Sequence, residues 1–319
     1  IEVIKAGVQS SLQSIPRDRG LSEGISQGGA ADQNALFLVN TLLNQSLDRV
    51  ALEITRSPVQ FRFLKDSTIA LGGAGMLWHL DNGKNIDPNR IHLIKAEQHL
   101  VGKPSRNGFR AYLGIKGGFR AKSFAGNPST DLNIGLGGSL GPLKKGDVLF
   151  NEQELPTKLS SVSWFLHPDW NAYQLNTVFR VYLGPESHWF SKEDISTLLD
   201  ANWIINRNAN RMGLRLDSTE EVKWTYPKQE LYSSTVLPGT VQMTKSGPII
   251  LFCDAHTAGG YPRIFQMCEA DLPALAQKSP GDEISFKLIS IEQALELKSE
   301  LARKKQQLKT AIGYKFEEE

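Results

Sequence analysis

The chain has 319 residues, of which 40% are hydrophobic and 22% are charged, an ordinary composition for a globular protein. Its 36 basic and 34 acidic residues leave a formal net charge of +2, and so close a balance excludes a general nucleic-acid-binding surface. The longest apolar run, from Val241 to Cys253, is interrupted by polar residues and is too short to span a membrane.

The first residues and the two cysteines indicate the same compartment. Ile1 to Lys5 form a short alternating segment with no secretory signal before it. Cys253 and Cys268 are expected to be reduced, buried thiols and not a disulfide. We therefore expect a cytoplasmic protein without membrane or nucleic-acid partners.

Most of the predicted elements are short strands. Alternating or apolar segments recur between Gly, Asn, Asp and Pro residues, as in Ala51 to Thr55, Val59 to Phe63, Thr68 to Leu71 and Ala111 to Ile115. This spacing, with 28 glycines and 15 prolines to supply turns, predicts a mainly β protein whose strands pack in sandwiches or barrels.

Few helices are predicted. Apolar residues at helical spacing predict a helix over 32–43, with Asp32 as its N-cap. Ser191 to Asp194 resembles a capping box before a second helix. A short helix is expected over 271–277, and another begins at Ser290. It runs into a charged tail over 298–309, which we expect to be a solvated or frayed helix and not a binding arm.

A shift in composition between Leu149 and Thr177 predicts two domains, 1–155 and 156–319, the second with the charged C-terminal helix or tail. Both halves end in a similar turn. Leu143 to Leu149 and Lys278 to Ile284 each lead through a Gly-Asp pair into a predicted strand. The shared turn hints at two related β units.

The glycine-rich segments do not predict a nucleotide site. Leu71 to Gly75 lacks the Gly-Lys-Ser/Thr ending of a phosphate loop, so a strand–turn–strand is expected. Gly135 to Gly141 lacks the Rossmann spacing and is expected to be a turn or a loop of close backbone approach. None of the six histidines has a zinc-type spacing, so no metal is expected. No Gly-x-Ser-x-Gly elbow supports serine hydrolase chemistry.

The densest polar cluster, Asp254 to Arg263, follows directly on an apolar strand. Asp254 or His256 can handle protons there, and the glycines permit a ligand to approach backbone N–H groups that hold an oxyanion. A capped turn, with Asp254 bonding the loop amides and Tyr261 closing the core, explains the same residues equally well.

Two smaller clusters are weaker candidates. Asn206 to Leu216 carries arginines that can hold a carboxylate in a bidentate pair, although composition alone favours a solvated turn and a strand. Ser129 to Asp131 is also explained by a turn in which Asp131 bonds local amides.

These clusters carry a family resemblance that extends from about Ile4 to Leu295. Its pieces, in the family's order, are Gly28–Asp32, Ala51–Thr55, Arg110–Leu113, Ser129–Leu132, Asn210–Leu216, Leu237–Gln242 with Gly247–Ile250, and Asp254–Pro262. Together they resemble the KipA, or allophanate hydrolase subunit 2, family of proteins similar to biotin-dependent carboxyltransferases.

The resemblance implies two cyclophilin-like β-barrel domains with a few short helices. The family includes the carboxyltransferase part of urea carboxylase, the KipA regulators and the C subunit of the ATP-dependent 5-oxoprolinase, which opens 5-oxo-L-proline to L-glutamate. Free-standing members of about this length are most like the 5-oxoprolinase protein. The implied partners are the B subunit, which is of KipI type, and the A subunit of that enzyme. The complex uses ATP without a P-loop in this chain.

Three departures from the family pattern affect its functional segments. The usual Thr-Val-Gln-Asp-x-Gly-Arg is replaced by Ser11 to Arg17, so that Ser14 stands where the family has Asp. His256 to Gly260 replaces the usual Gln-Thr-Thr-Gly-Gly, and His256 changes the titration behaviour there. The Gly that usually precedes Ser-Thr-Asp is displaced, which gives Gly126-Asn127-Pro128.

The leading hypothesis is a component of the amide-opening 5-oxoprolinase that is active only in complex. Its expected catalytic residues are Asp254, His256 and Asp131, and its expected substrate-binding residues are Arg211, Thr257, Gly259, Gly260, Tyr261, Gln242, Ser129 and Thr130. Arg211→Ala is expected to abolish activity and leave the fold intact. The alternatives are the carboxyltransferase component of a urea carboxylase, with biotin on a separate carrier, and a KipA-like protein that binds a kinase inhibitor.

Overall fold

A computed structural model describes residues 1–153 and 164–317. Nine strands lie before residue 116: β1 (Glu2–Lys5), β2 (Ser10–Gln13), β3 (Ala51–Thr55), β4 (Val59–Arg62), β5 (Ser67–Gly73), β6 (Met76–Leu80), β7 (Ile91–Ile94), β8 (His99–Pro104) and β9 (Arg110–Ile115). They pair as a four-stranded sheet, β1-β4-β8-β6, and a five-stranded sheet, β2-β3-β9-β5-β7. The two sheets share one apolar core, which includes Phe61, Phe63 and Trp78.

The other nine strands follow residue 177: β10 (Val178–Leu183), β11 (Trp203–Ile205), β12 (Gly213–Ser218), β13 (Ser234–Thr235), β14 (Thr240–Thr244), β15 (Gly247–Leu251), β16 (Ala258–Gly259), β17 (Arg263–Met267) and β18 (Glu283–Leu288). Seven close into a barrel in the order β10-β17-β14-β15-β12-β11-β18, while β13 and β16 pair separately. The barrel core contains Phe179, Trp203 and Phe265. The predicted mainly β fold is confirmed, and the barrel lies in the second half of the chain.

The four α-helices of the described residues are α1 (Gln33–Leu42), α2 (Lys192–Asp200), α3 (Leu272–Leu275) and α4 (Ile291–Glu317). Short 3-10 helices span Leu21–Glu23, Pro168–Leu175, Ser187–Trp189 and Glu269–Asp271. None of the helices in the described ranges combines the length and apolarity needed to cross a bilayer.

The predicted helix starts are confirmed in detail. Asp32 caps α1 by accepting from the amides of Asn34 and Ala35, and Ser191 with Asp194 forms the capping box of α2. These ends are predictable because a cap depends on residues within one helical turn of each other.

The predicted strand–turn–strand at Leu71 to Gly75 is also confirmed, because this segment connects β5 to β6. The second glycine-rich segment is a loop of close backbone approach. Gly137 and Gly138 have positive φ angles of 71° and 46°, and a side chain there would collide with Ser129 and Thr130.

The domain boundary predicted at 155/156 lies outside the described residues. The turn that is expected near the end of each half has the same geometry in both places. Gly146 and Gly281 have φ angles of 91° and 90°. The following Asp147 and Asp282 each accept a hydrogen bond from the amide three residues earlier, at 2.7 and 2.8 Å.

Helix α4 is solvated over most of 298–309, as its charged composition predicts, but one of its faces is docked on the rest of the fold. Leu308 and Ile312 are buried and join α1 residues, including Phe37 and Leu38, in a third apolar cluster. The spacing of Leu308 and Ile312 places them on one helix face, and this face packs α4 onto α1.

Leu308→Ala should therefore destabilise the fold. Leu308 is 7% exposed, and its truncation should lower the free energy of unfolding by about 2–4 kcal/mol because it leaves a cavity under α4. Urea unfolding followed by circular dichroism measures this. Leu295→Ala on the same helix is the control, since Leu295 is 58% exposed and should change stability by less than about 0.5 kcal/mol. Equal stability of the two variants would mean that α4 is not docked through Leu308.

Candidate functional site

Arg211 lies at the centre of a buried polar interface between the barrel and the first-half sheets. Its Nε and Nη2 donate to Asp254 Oδ2 and Oδ1 at 2.7 and 2.8 Å, a bidentate pair. Its Nη1 donates to Glu53 Oε1 at 2.6 Å, and Nη2 also donates to the carbonyl of Gly29 at 2.6 Å. Arg211 therefore joins the end of the barrel to strand β3 and to the loop before α1.

Glu53 is held from several sides. Its Oε2 accepts from the Ala31 amide at 2.8 Å and from the Tyr112 hydroxyl at 2.6 Å, and its Oε1 lies 3.5 Å from Nε of Arg110. Burial alone would raise the pKa of Glu53, but the Arg211 and Arg110 cations and these hydrogen bonds outweigh it and lower the pKa. Glu53 is therefore an ionised structural partner of Arg211.

The same balance applies to Arg211. Burial opposes its charge, yet the pKa is raised well above its ordinary value because Asp254 and Glu53 stabilise the cation. The neighbouring Cys253 has a pKa raised to about 12, chiefly by burial. The thiol of Cys253 thus stays protonated at neutral pH, which excludes it as a nucleophile.

Asp131 belongs to an adjoining buried cluster. Arg17 Nη1 lies 3.7 Å from Asp131 Oδ2, and Arg17 Nη2 donates to the carbonyl of Ser129 at 2.9 Å. Thr130 is also buried and donates through Oγ1 to the carbonyl of Leu12. The exposed Asn133 links this cluster to the barrel, because its Nδ2 donates to the carbonyl of Asp254 at 3.1 Å.

Of the remaining predicted residues, those of the turn lie at the surface and Gln242 lies beneath it. His256 and Gly260 are exposed, and Tyr261 is about half exposed. Gln242 is buried on β14 beneath the turn and makes a long contact of 3.4 Å from its Nε2 to the carbonyl of Tyr261.

The turn itself is held by backbone pairing. Gly259 pairs with Ser234 between β16 and β13, and the carbonyl of Thr257 accepts from the amide of Val236 at 3.0 Å. A side chain on Gly259 would meet Nε2 of Gln242 at 2.6 Å. A side chain at this position would therefore displace the amide of Gln242.

The structure therefore divides the predicted site residues into two layers. Arg211, Asp254, Asp131, Ser129 and Thr130 form a buried layer, and Thr257, Gly259, Gly260, Tyr261 and His256 form a surface turn above Gln242. Asp254 and His256 are only two residues apart in sequence, and they connect the layers.

The sequence does not predict the partners of these residues. Glu53 and Arg110 lie in segments that carry the family resemblance, and Arg17 ends the segment that departs from it, but their spacing assigns no role to them. One feature of the sequence could have indicated these partners, namely the acidic Glu53 inside the apolar strand 51–55. A buried carboxylate requires a cation or several hydrogen-bond donors nearby.

A second polar network extends this interface to the helices. Asp32 accepts from Nε2 of Gln277 at 2.6 Å and from the Tyr173 hydroxyl at 2.8 Å, in addition to the α1 amides. Its own amide donates to Tyr112 Oη, whose hydroxyl donates to Glu53. Burial raises the pKa of Asp32 to about 6 despite these hydrogen bonds.

A cavity of about 800 Å³ lies beside this interface. Gly28, Ala30, Ala31 and Cys253 line it, and these residues flank Gly29 and Asp254. None of the predicted site residues lines this cavity. Across residues 1–153 and 164–317, no group of three or more His, Cys, Asp or Glu side chains is placed to hold a metal ion.

Arg211 is almost fully occupied by protein partners. Four of its five N–H bonds are directed at protein oxygens, so the buried guanidinium cannot form a bidentate pair with a substrate carboxylate without giving up one of these partners. The side chains that a substrate can reach without rearrangement include those of His256, Tyr261 and Asn133.

Arg211→Ala should destabilise the fold, which revises the expectation from sequence that this variant stays intact. The substitution leaves Asp254 and Glu53 buried without their shared cation, at a cost of about 3–5 kcal/mol. Urea unfolding measures the loss. Arg207→Ala is the matched control, because Arg207 is an exposed arginine of the same turn. If both variants unfolded at the same urea concentration, the bridge would not stabilise the interface.

Asp32 should give the fold a measurable pH dependence. Its pKa is about 6 in the folded chain and 3.8 ordinarily, so the folded state binds the proton more tightly. The contribution of Asp32 to stability is thus largest at low pH and decreases as the pH rises through about 6. Asp32→Asn removes this titration.

We expect the stability of the wild type relative to Asp32→Asn to fall by about 1–3 kcal/mol from about pH 4 to about pH 6, measured by urea unfolding at each pH. Titration of Glu53 is common to both proteins and cancels. Asp18→Asn, at an exposed carboxylate, is the control. A stability difference that stays constant or increases over this pH range would contradict the assignment.

Comparison with known proteins gives the family. The sequence profile of the carboxyltransferase domain, subdomain A and B, matches residues 23–288. The C subunit of 5-oxoprolinase from Escherichia coli is 35% identical over 310 residues, which cover 97% of each protein. The protein of the same name from Haemophilus influenzae is 30% identical over 93% of this chain and 94% of its own length.

Solved structures agree with this relationship. Urea amidolyase from K. lactis superposes with a TM-score of 0.85 at 27% identity, and urea carboxylase from Kluyveromyces lactis with a TM-score of 0.84 at 28% identity. Each match covers 96% of this chain, but only 20% and 29% of those two longer proteins. The chain belongs to the carboxyltransferase domain, subdomain A and B, family.

Proposed function

We propose that the chain is the C subunit of an ATP-dependent 5-oxoprolinase that converts 5-oxo-L-proline to L-glutamate. The observation that carries the proposal is the match to the 5-oxoprolinase protein from Escherichia coli over 97% of both chains. The matched urea carboxylases, in contrast, are proteins of which this chain spans a minor part. The match to the 5-oxoprolinase protein extends over nearly the whole length of that relative.

In the proposed complex the partners are the B subunit, of KipI type, and the A subunit, and activity requires all three proteins. The similar proteins are named as one lettered component of 5-oxoprolinase, which supports an enzyme built from several chains. ATP is a substrate of the complex, and we assign no nucleotide-binding residue in this chain. We also propose a cytoplasmic location.

The roles proposed for the site follow from its two layers. Opening a lactam requires polarisation of its carbonyl and a proton for the leaving nitrogen. His256 is an exposed titratable group of the surface turn, which also contains the half-exposed Tyr261, and we assign His256 a hydrogen bond to the substrate. Thr257, Gly259, Gly260 and Tyr261, above Gln242, form the binding surface.

The buried layer has a different proposed role. Asp254 and Asp131 position the surface groups. Asp254 is fixed by Arg211, and its carbonyl accepts a hydrogen bond from the side chain of Asn133. Ser129 and Thr130 hold the segment of Asp131 against the first-half sheet. Arg211 holds Asp254 and Glu53 in place, and it does not itself bind the carboxylate of the substrate.

The second candidate is the carboxyltransferase component of a urea carboxylase. The TM-scores of 0.84 and 0.85 favour it, since nearly the whole chain superposes on part of such enzymes. Biotin would then be carried by another protein, and the same turn would bind the acceptor.

The test measures 5-oxoproline-dependent phosphate release from ATP together with glutamate formation. The cognate A and B proteins are assayed with the chain, and again with the chain omitted. We expect both products only in the complete mixture. A complex that assembles without turnover of 5-oxoproline would contradict the proposal, and carboxylation of urea with a biotinylated carrier would support the alternative.

Two variants of His256 test its role in the same assay. His256→Gln introduces the residue usual in the family and should retain the hydrogen bond and most of kcat. His256→Ala should reduce kcat/KM about tenfold or more. This is the effect expected from losing one hydrogen bond to a charged group, or to a charge that develops in the transition state. Equal activity of the two variants would remove His256 from the site.

A further inference from the structure

Two cavities meet at a junction between α1 and α4. The first, of about 850 Å³, lies among α1, the 3-10 helix Pro168–Leu175, α3 and α4. The second is the 800 Å³ cavity beside the Arg211 interface. Asn34, Ala270, Leu301 and Lys305 line both cavities and form what we name the junction. Cavities of this size are typical of small-molecule sites.

Most cations lining the two cavities are neutralised locally. In the first cavity Arg180 is paired with Asp271 and Lys304 with Glu300. In the second, Arg263 is paired with Glu186, and Lys298 with Glu269 at 2.7 Å. Within the part of the chain that the structure describes, Lys305 and Lys287 line a cavity without an ion-pair partner. Among the residues that line the junction, the charge without an ion-pair partner is therefore that of Lys305, which favours an anionic group on the ligand.

Lys305 is partly buried, and the contact that its ammonium makes among the described residues is with the ring of Phe37, whose centroid lies 5.2 Å from Nζ. Burial lowers the pKa of Lys305, while Asp32 and Glu269 act on it from a distance in the opposite sense. Asp32 already accepts hydrogen bonds from four groups, and Glu269 is bound to Lys298. The ammonium of Lys305 therefore has N–H donors available for a ligand.

Asn34 supplies the complementary group. Its side-chain oxygen Oδ1 is buried and has no hydrogen-bond partner among the described residues. An orphan buried acceptor costs free energy unless a ligand or water satisfies it. The junction therefore presents one unpaired cationic donor and one unpaired acceptor, next to the apolar surfaces of Phe37, Trp170 and Leu301.

We propose that the junction binds a small amino acid or amido acid, with the ligand's carboxylate on Lys305, its N–H on Oδ1 of Asn34, and its carbon atoms against the apolar wall. A simple carboxylic acid would leave Asn34 unsatisfied, and a simple amine would be repelled by Lys305. The inference rests on the proposed function only in the choice of probes: 5-oxo-L-proline and L-glutamate both carry a carboxylate and an N–H group.

The junction also has a route toward the Arg211 interface. The second cavity extends from Lys305 and Asn34 to Ala31, whose amide donates to Glu53, and to Cys253, which precedes Asp254. A ligand at the junction thus lies in a cavity that is continuous with the residues flanking the buried charge network.

Two measurements test the proposal. The dissociation constants of 5-oxo-L-proline and L-glutamate are measured by titration calorimetry on the purified chain, and the KM for 5-oxo-L-proline is measured in the complete complex. Lys305→Gln keeps the size of the side chain and removes its charge. It should weaken binding or raise KM by about tenfold or more, as expected for loss of a charge-assisted hydrogen bond. Asn34→Ala should have a smaller effect in the same direction.

Arg303→Gln is the matched control, because Arg303 is an exposed cation on α4 that lines neither cavity. Unfolding curves verify that each variant is folded. If neither the dissociation constants nor KM differ between Lys305→Gln and Arg303→Gln, or if the wild-type chain binds neither probe and KM is unaffected, the junction does not bind these acids.

The two proposals fail separately. Lys305-dependent binding in a complex without 5-oxoproline turnover would remove the proposed function and keep the junction. Normal turnover with a KM that is insensitive to Lys305→Gln, and no Lys305-dependent binding by the chain, would remove the junction and keep the function.

Discussion

The rest of the structure depends on how one buried guanidinium, that of Arg211, is shared between two carboxylates. Asp254 belongs to the barrel and Glu53 to the first-half sheet, and both bind Arg211 within 2.8 Å. A buried cation between two anions is stable only when every partner is present, because any one of them left alone retains its full desolvation cost. The relative position of the two halves is consequently fixed by the geometry of the Arg211 hydrogen bonds as well as by apolar packing.

The same interface continues into the helices through hydrogen bonds and not through charge alone. Glu53 accepts from Tyr112, Tyr112 accepts from the amide of Asp32, and Asp32 accepts from Gln277 at the end of α3. The N-cap of α1 is thereby a connection between halves as well as a helix start. Because α4 packs on α1 through Leu308 and Ile312, its position also follows from this network.

The sequence predicts the features that depend on neighbouring residues. Alternation and turn residues predict the β class, and the caps at Asp32 and Ser191 are predictable because each bonds amides within one turn. The pairing of Arg211 with Glu53 is not predictable, because 158 positions separate them and no spacing rule links two such residues. The docking of α4 is not predictable from the sequence, because two buried apolar residues, Leu308 and Ile312, mark the docked face of a helix rich in charged residues.

Two of the three departures from the family pattern lie close together, whereas the third, at His256, lies on the surface turn. Ser14, which replaces the usual Asp, donates its amide to Ser129 Oγ at 2.9 Å and its hydroxyl to the carbonyl of Asp48. Asn127, which follows the displaced Gly126, donates to the carbonyl of Ile15 and accepts from the amide of Ser129. Ser14 and Asn127 therefore both contact the segment that holds Asp131.

Charge explains why this change is tolerated. The adjoining buried clusters contain three arginines and three carboxylates: Arg17, Arg110, Arg211, Glu53, Asp131 and Asp254. With serine at position 14 these six residues include as many arginines as carboxylates, and a further acid there would add a buried negative charge without a cation of its own. The polar but neutral Ser14 and Asn127 supply hydrogen bonds to the Ser129 segment without disturbing that balance, so the charge network around Arg211 is complete in this chain without the family's acid.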